Sequence, residues 1–352
     1  MPVDPTPPAT SFASDNAAGV LPEVMDALAA ANHGAALAYG ADDWTGRIER
    51  RFSELFGTDV VTALTWGGTG ANVVALHTVL RPWDSVICAR GSHINVDECG
   101  AVERICGAQL VPIDATDGKL IPADIAAQLH VLGDEHHSQP RVVSITQSTE
   151  NGTLYTAGEI AAIVDVAHAH DLLVHVDGAR IANATAALGG DVRSFTTDVG
   201  VDMISFGCTK AGAMYGEAVV FLRPELGEPV RFARKQTGQL PSKMRFVAAQ
   251  IEALLTDGLW LRVAGHANAM AARLATAVAP IAGVDVVRAP HVNSVFARVP
   301  PASLQALQNW SMFWEWDPAV TEVRWMTHFD TTVDDVDTFA AGLAAIIERT
   351  AP

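Results

Sequence analysis

The sequence predicts an α/β fold: a large domain on a seven-stranded, mostly parallel sheet, followed by a smaller α+β C-terminal domain. Three observations lead there. Between residues 60 and 222, seven short β-rich runs, at 60–66, 85–90, 109–113, 142–146, 172–176, 203–207 and 217–222, alternate with helical stretches. Runs such as VVSIT (142–146) and LLVHV (172–176) are apolar almost throughout, the pattern of strands covered by helices on both faces. Beyond Leu240 the rhythm changes, and two long helical patterns give way to the strand-like runs VDVVR, VNSVFARV and EVRWMT, with helical segments between and after them.

The chain opens on MPVDPTPPAT, rich in proline and without a basic start or an apolar segment behind it, so residues 1–13 read as a disordered tail and not as a secretion signal. Residues 14–239 then form the large domain, with an N-terminal arm at 14–45 whose turn-rich AYGADD can serve a site or a neighbouring subunit. Within this domain Thr156 and Glu159 make a capping box, after which Ile160, Ile163, Val164 and Ala167 recur at helical spacing. Residues 240–352 form the small domain. Its first helix, 243–256, puts Met244, Val247, Ala248, Ile251, Leu254 and Leu255 on one face, and an Ala-rich helix follows over about 262–279.

Composition narrows the function. The 352 residues are 49% hydrophobic with a mean hydropathy of +0.20, ample for extensive cores. A formal net charge of −17 argues against nucleic acid or an anionic membrane as partner and leaves a small metabolite. No apolar run approaches the roughly 20 residues of a membrane helix. The four cysteines, Cys88, Cys99, Cys106 and Cys208, have no paired spacing, which fits a reducing cytoplasm.

Three segments carry chemistry. VHVDGAR (174–180) is an apolar strand that delivers Asp177 at its C-terminal end, where ligands of open α/β sheets bind. DMISFGCTKAGA (202–213) is a second such strand, ending in Thr209 and Lys210 among small residues; desolvation there favours a neutral amine able to attack a carbonyl. TWGGTGANVVAL (65–76) runs from a strand through Gly67, Gly68, Thr69 and Gly70 into a helix, a cradle in which backbone N–H groups face an anion. It matches neither the dinucleotide nor the Walker pattern. An anion cradle, a strand-end carboxylate and an amine in this order describe a site for pyridoxal 5′-phosphate: the phosphate takes the helix start, the pyridine nitrogen the carboxylate, and the aldehyde the lysine.

With SDN (14–16), AYGADDWT (38–45), GTGAN (68–72), SHINVDECGA (92–101), VDGAR (176–180), SFGCTKAGA (205–213) and EVRWMTHFDTT (322–332), the chain resembles the low-specificity L-threonine aldolases over nearly its whole length. The resemblance implies the aminotransferase-like fold type I of pyridoxal phosphate enzymes, assembled as homodimers or homotetramers with sites at the subunit interface. It also implies cleavage of L-β-hydroxy-α-amino acids to glycine and an aldehyde. Carried over by position, Lys210 is the Schiff-base lysine, Asp177 the partner of the pyridine nitrogen, Gly68 and Thr69 the phosphate cradle, and His93 the ring stacked on the cofactor. Ser14, Arg180 and Arg324 hold the substrate carboxylate, a task suited to the planar arginine fork. Arg180, Arg234 and Lys235 also belong to the cofactor-binding set. His93 is the leading base for the β-hydroxyl, and Glu150, where many relatives carry histidine, is positioned to orient a water or His93 itself. Ala211 stands where many relatives have asparagine. Shared cofactor chemistry leaves an aminotransferase, a β-eliminating lyase or a non-catalytic ligand-binding relative as alternatives.

The remaining polar and aromatic residues read plainly. His136 and His137 fall in a polar loop, and His168, His170 and His175 are too scattered for a metal site. Cys99 and Cys208 read as small packing residues. Trp310, Phe313, Trp314 and Trp316 read as core or cleft wall of the small domain.

Overall fold

Each apolar run of the first two-thirds of the chain becomes a strand because both of its faces find a helix to cover them. In the structure, a computed structural model that describes residues 5–350, these strands are β1 (Val61–Thr65), β2 (Asp84–Ala89), β3 (Gln109–Ile113), β4 (Gln139–Thr146), β5 (Leu173–Gly178), β6 (Met203–Gly207) and β7 (Glu217–Phe221). They form one sheet in the order β1-β7-β6-β5-β4-β2-β3. Only β7 runs against its neighbours; the other pairs are parallel.

The two-residue period of a strand sorts its side chains between two cores. Val142, Leu173, Met203 and Val219 pack with helix Gly68–Val79 on one face. Val143, Val174, Ile204 and Val220 pack with Ile160, Ile163 and Val164 of helix Ala157–His168 on the other. The capping box that starts the latter helix forms as expected: Glu159 N–H donates to Thr156 Oγ1 (3.2 Å) and Thr156 N–H to Glu159 Oε2 (2.7 Å). Three central strands are also tied by polar side chains, since buried His175 bonds Ser144 Oγ through Nδ1 (2.9 Å) and Ser205 Oγ through Nε2 (3.0 Å).

A second, antiparallel sheet holds β8 (Asp285–Val286), β9 (Ser294–Arg298), β10 (Trp314–Asp317) and β11 (Glu322–Met326) in the order β10-β11-β9-β8. Its core contains Leu274, Val295, Trp325, Phe339 and Leu343. Trp310 and Phe313 join this core, whereas Trp314 is exposed and lies outside it.

Two boundaries differ from the sequence expectation. Residues 5–13 are not a disordered tail: Phe12 is fully buried 4.5 Å from Phe339, its carbonyl accepts Met326 N–H (2.8 Å), and the Trp310 indole donates to the Pro5 carbonyl (2.7 Å). Prolines set an extended path here, and one aromatic anchors it; residues 1–4 lie outside the described residues. The second difference concerns Leu240. Met244, Val247, Ala248, Ile251 and Leu254 pack into the large-domain core, and helix Leu259–Val278 passes from that core, at Leu259, Trp260 and Ala264, into the small one at Ala271. Sequence rhythm marks where helices follow strands, but not which core a helix serves.

Candidate active site

The C-terminal ends of the parallel strands β4, β5 and β6 lie side by side, with Thr146 paired to Asp177 and Asp177 to Ser205. Glycines permit this closeness: a Cβ on Gly178 would stand 2.8 Å from the Ser205 carbonyl oxygen, and one on Gly207 would stand 2.6 Å from that of Ala179. Above these ends opens a cleft lined by Gly68, Asn72, His93, Thr146, Ser148, Glu150, Asp177, Ala179, Arg180 and Lys210. Six residues singled out from the sequence therefore meet in one place, at the position where open α/β sheets bind ligands.

Lys210 sits in the short turn Thr209–Ala211 after β6. Among the described residues its ammonium makes no hydrogen bond or ion pair; burial, reinforced by the Arg180 guanidinium, pushes its pKa down toward the neutral amine. The turn is held by Glu217 of β7, a buried carboxylate that accepts the Cys208 N–H. Asp177 is buried and, among the described residues, forms no ion pair: Oδ2 accepts from Asn72 Nδ2 (2.7 Å) and Oδ1 from Ala179 N–H (3.0 Å). Helix Gly68–Val79, with Thr69 in its first turn, starts without a side-chain cap, so its first amides are available to an anion.

His93 opens the short helix His93–Val96. Its backbone N–H donates to Glu150 Oε1 (2.8 Å), which also accepts the Thr146 hydroxyl (2.9 Å). Glu150 thus holds the His93 backbone, while the ring itself bonds through Nδ1 to Glu98 Oε1 (2.8 Å). That bond, with the charges of Glu98 and Asp177, raises the imidazole pKa; burial raises that of Glu150.

The two arginines differ. Arg180 is engaged by Asp15 in a two-point pair, Nε to Oδ2 (2.7 Å) and Nη2 to Oδ1 (2.9 Å), and Asn293 donates to the same carboxylate (3.1 Å). Burial opposes ionisation of Asp15, but Arg180 and Lys210 outweigh it and hold its carboxyl far below the usual range. Arg324, on β11, has no carboxylate: its guanidinium lies 4.6 Å over the Trp316 ring and its buried Nε has no hydrogen-bond partner among the described residues. Burial, and then Arg180, lower its pKa to about 10.

Five expected residues stand outside the cleft lining, among them Thr69, in the first turn of helix Gly68–Val79. The Ser14 hydroxyl accepts Asn16 N–H (3.1 Å) and caps the turn that carries Asp15. Arg324 approaches from the small domain. Arg234, on helix Val230–Gln236, donates to the Leu64 carbonyl (3.4 Å) beside the Gly-rich turn and keeps a buried, unbonded Nε, while the Lys235 ammonium lies 5.0 Å over the Tyr39 ring. Cys99, expected to be a packing residue, is exposed with a left-handed φ of 53°, whereas Cys208 is buried as expected. Sequence reasoning missed Asp15, Asn72, Glu98 and Glu217, and it read Trp316 as core or cleft wall without its contact with Arg324. The first three lie inside SDN, GTGAN and SHINVDECGA, yet their roles come from partners distant in the chain.

Fold and cleft together define a fold type I, aminotransferase-like architecture. The chain belongs to the beta-eliminating lyase family, whose model matches residues 11–301. It is 40% identical to the low specificity L-threonine aldolase of Pseudomonas sp. (strain NCIMB 10558), over 96% of this chain and 97% of that protein. The low specificity L-threonine aldolase of Escherichia coli (strain K12) is 27% identical over 88% of this chain and 91% of its own. Among solved structures, threonine aldolase from Leishmania major superposes with a TM-score of 0.90 at 31% identity, covering 96% of this chain and 99% of that one.

Proposed function

We propose that this protein is a carbon–carbon lyase that cleaves L-threonine, L-allo-threonine and related L-β-hydroxy-α-amino acids such as phenylserine to glycine and an aldehyde, with pyridoxal 5′-phosphate bound in the cleft and joined to Lys210. One observation carries the reading: an amine whose pKa burial lowers, a buried carboxylate bonded by amides and an uncapped helix start face one cleft. These groups fit the cofactor's aldehyde, pyridine nitrogen and phosphate in turn. When bound, the cofactor supplies an electron sink for the carbanion left at Cα.

The chain's own groups do the rest. Arg324, without a carboxylate of its own, receives that of the substrate, and Arg180 and Ser14 complete this end of the site; fixing the carboxylate sets which bond at Cα aligns for cleavage. His93 takes the β-hydroxyl proton through Nε2. Arg234 and Lys235 add positive charge on the phosphate side. The same proposal includes a homodimer or homotetramer, supported by the exposed Leu37, Tyr39 and Trp66 along the arm and the Gly-rich turn, and a cytoplasmic setting, supported by four free cysteines. Borohydride reduction of the loaded protein followed by peptide mass mapping tests the anchor. The label is expected on Lys210 and is lost in Lys210→Ala with the fold retained; a label on another lysine removes Lys210 from the role.

A further inference from the structure

Beneath the cleft runs a chain of buried hydrogen bonds that the proposed reaction does not yet use. Asn72 lies in the second turn of helix Gly68–Val79 and spends both amide hydrogens on carboxylates: Nδ2 donates to Asp177 Oδ2 (2.7 Å) and to Glu98 Oε1 (2.8 Å). The orientation of the amide follows from this, because a flipped amide would aim its oxygen at two carboxylates. The same Oε1 receives the His93 ring at Nδ1 (2.8 Å), and the Glu98 side chain is fully buried. Four side chains, Asp177, Asn72, Glu98 and His93, are thus in contact end to end, joining the group facing the pyridine nitrogen to the group facing the β-hydroxyl.

We propose that Glu98 and Asn72 are positioning residues: Glu98 holds the His93 ring with Nδ1 as donor and Nε2 as proton acceptor, and Asn72 couples the charge on Glu98 to that on Asp177. The inference rests on the aldolase reading only in assigning the proton to His93. A carboxylate on Nδ1 fixes the tautomer and strengthens Nε2 as a base. The groups facing His93 are Glu98 from its own loop, Asp177 at the end of β5, Lys210 after β6, and Glu150 after β4 on the backbone N–H. Glu98 and Asp177 favour the imidazolium and Lys210 opposes it. Two substitutions therefore act with opposite sign. Glu98→Gln keeps an acceptor for both donors but removes the charge, so the imidazole loses its proton more easily. Asn72→Ala strips Glu98 and Asp177 of their shared donor, leaves Glu98 a stronger acceptor and so tightens the proton on His93; alanine suits a helix interior.

The test is an imidazole NMR titration of the substrate-free holoenzyme, with the His93 signal assigned by its loss in His93→Asn. In Glu98→Gln the His93 pKa is expected to fall by about one unit or more, and in Asn72→Ala it is expected to rise. Asn72→Ser, which keeps one donor, should lie between wild type and Ala. The Kd for pyridoxal phosphate is expected to rise several-fold in Asn72→Ala, because Asp177 loses the bond that orients it. An unchanged pKa in Glu98→Gln overturns the role of Glu98. A pKa in Asn72→Ala that stays put, or moves down with that of Glu98→Gln, overturns the coupling. The titration needs no turnover, so its failure is distinct from failure of the wild-type protein to form glycine.

Discussion

Arg180 and Arg324, both proposed to hold the substrate carboxylate, have different partners. Asp15 occupies two donors of Arg180, so the charge of that pair is already balanced, and Arg324 is left on an indole face with a buried Nε unbonded. A desolvated cation without a partner is costly, and a substrate carboxylate relieves that cost. Arg324→Ala is accordingly expected to raise KM for every α-amino-acid substrate by a similar factor, on the order of 30-fold, or about 2 kcal/mol. Steady-state kinetics on threonine, allo-threonine and phenylserine check this; a loss confined to phenylserine would place Arg324 in a side-chain pocket instead. Lys210, Asp177 and the Gly-rich turn were legible in the sequence because each stands at the end of an apolar strand, where residue type and position both carry meaning. Asp15 and Glu98 were not, because a carboxylate in a loop carries no local sign of the arginine or histidine it will meet.

The central strands show how a polar element can serve a fold. His175 is buried between the Ser144 and Ser205 hydroxyls, and burial lowers its pKa to about 4, against the upward pull of Asp177. The unfolded chain, titrating near 6.5, binds a proton that the folded one refuses, so this group leaves stability intact above about pH 6.5 and erodes it as pH falls toward 4. Between pH 7 and pH 5 the loss is on the order of 2 kcal/mol. Urea unfolding at the two pH values is expected to show a smaller pH dependence in His175→Gln than in wild type; equal dependence would remove His175 as the cause. Strand identity was legible here, since VVSIT and LLVHV are apolar runs between turn signals, whereas the hydroxyl–imidazole bridge depends on strand order. The order β6-β5-β4 sets residues 144, 175 and 205 side by side, and sequence spacing alone does not encode that.

At the scale of the whole molecule, the small domain and the N-terminal segment act as one unit on the site. Phe12 packs in the small-domain core, and a few residues later the chain delivers Asp15 to Arg180, while β11 of the same domain delivers Arg324. The segment was misread as a tail because one buried aromatic is a weak signal among prolines. Among the described residues no helix is long and apolar enough to cross a membrane. The proposed cofactor anchor, ring-nitrogen partner and carboxylate cation serve several reactions of the same cofactor, and the products decide among them. The purified, cofactor-loaded protein is to be incubated with L-threonine while glycine, acetaldehyde, ammonia and 2-oxobutanoate are quantified together. Equimolar glycine and acetaldehyde, without ammonia or keto acid and absent in Lys210→Ala, is the predicted result; 2-oxobutanoate with ammonia, or keto acid formed only with an amino acceptor, would contradict it.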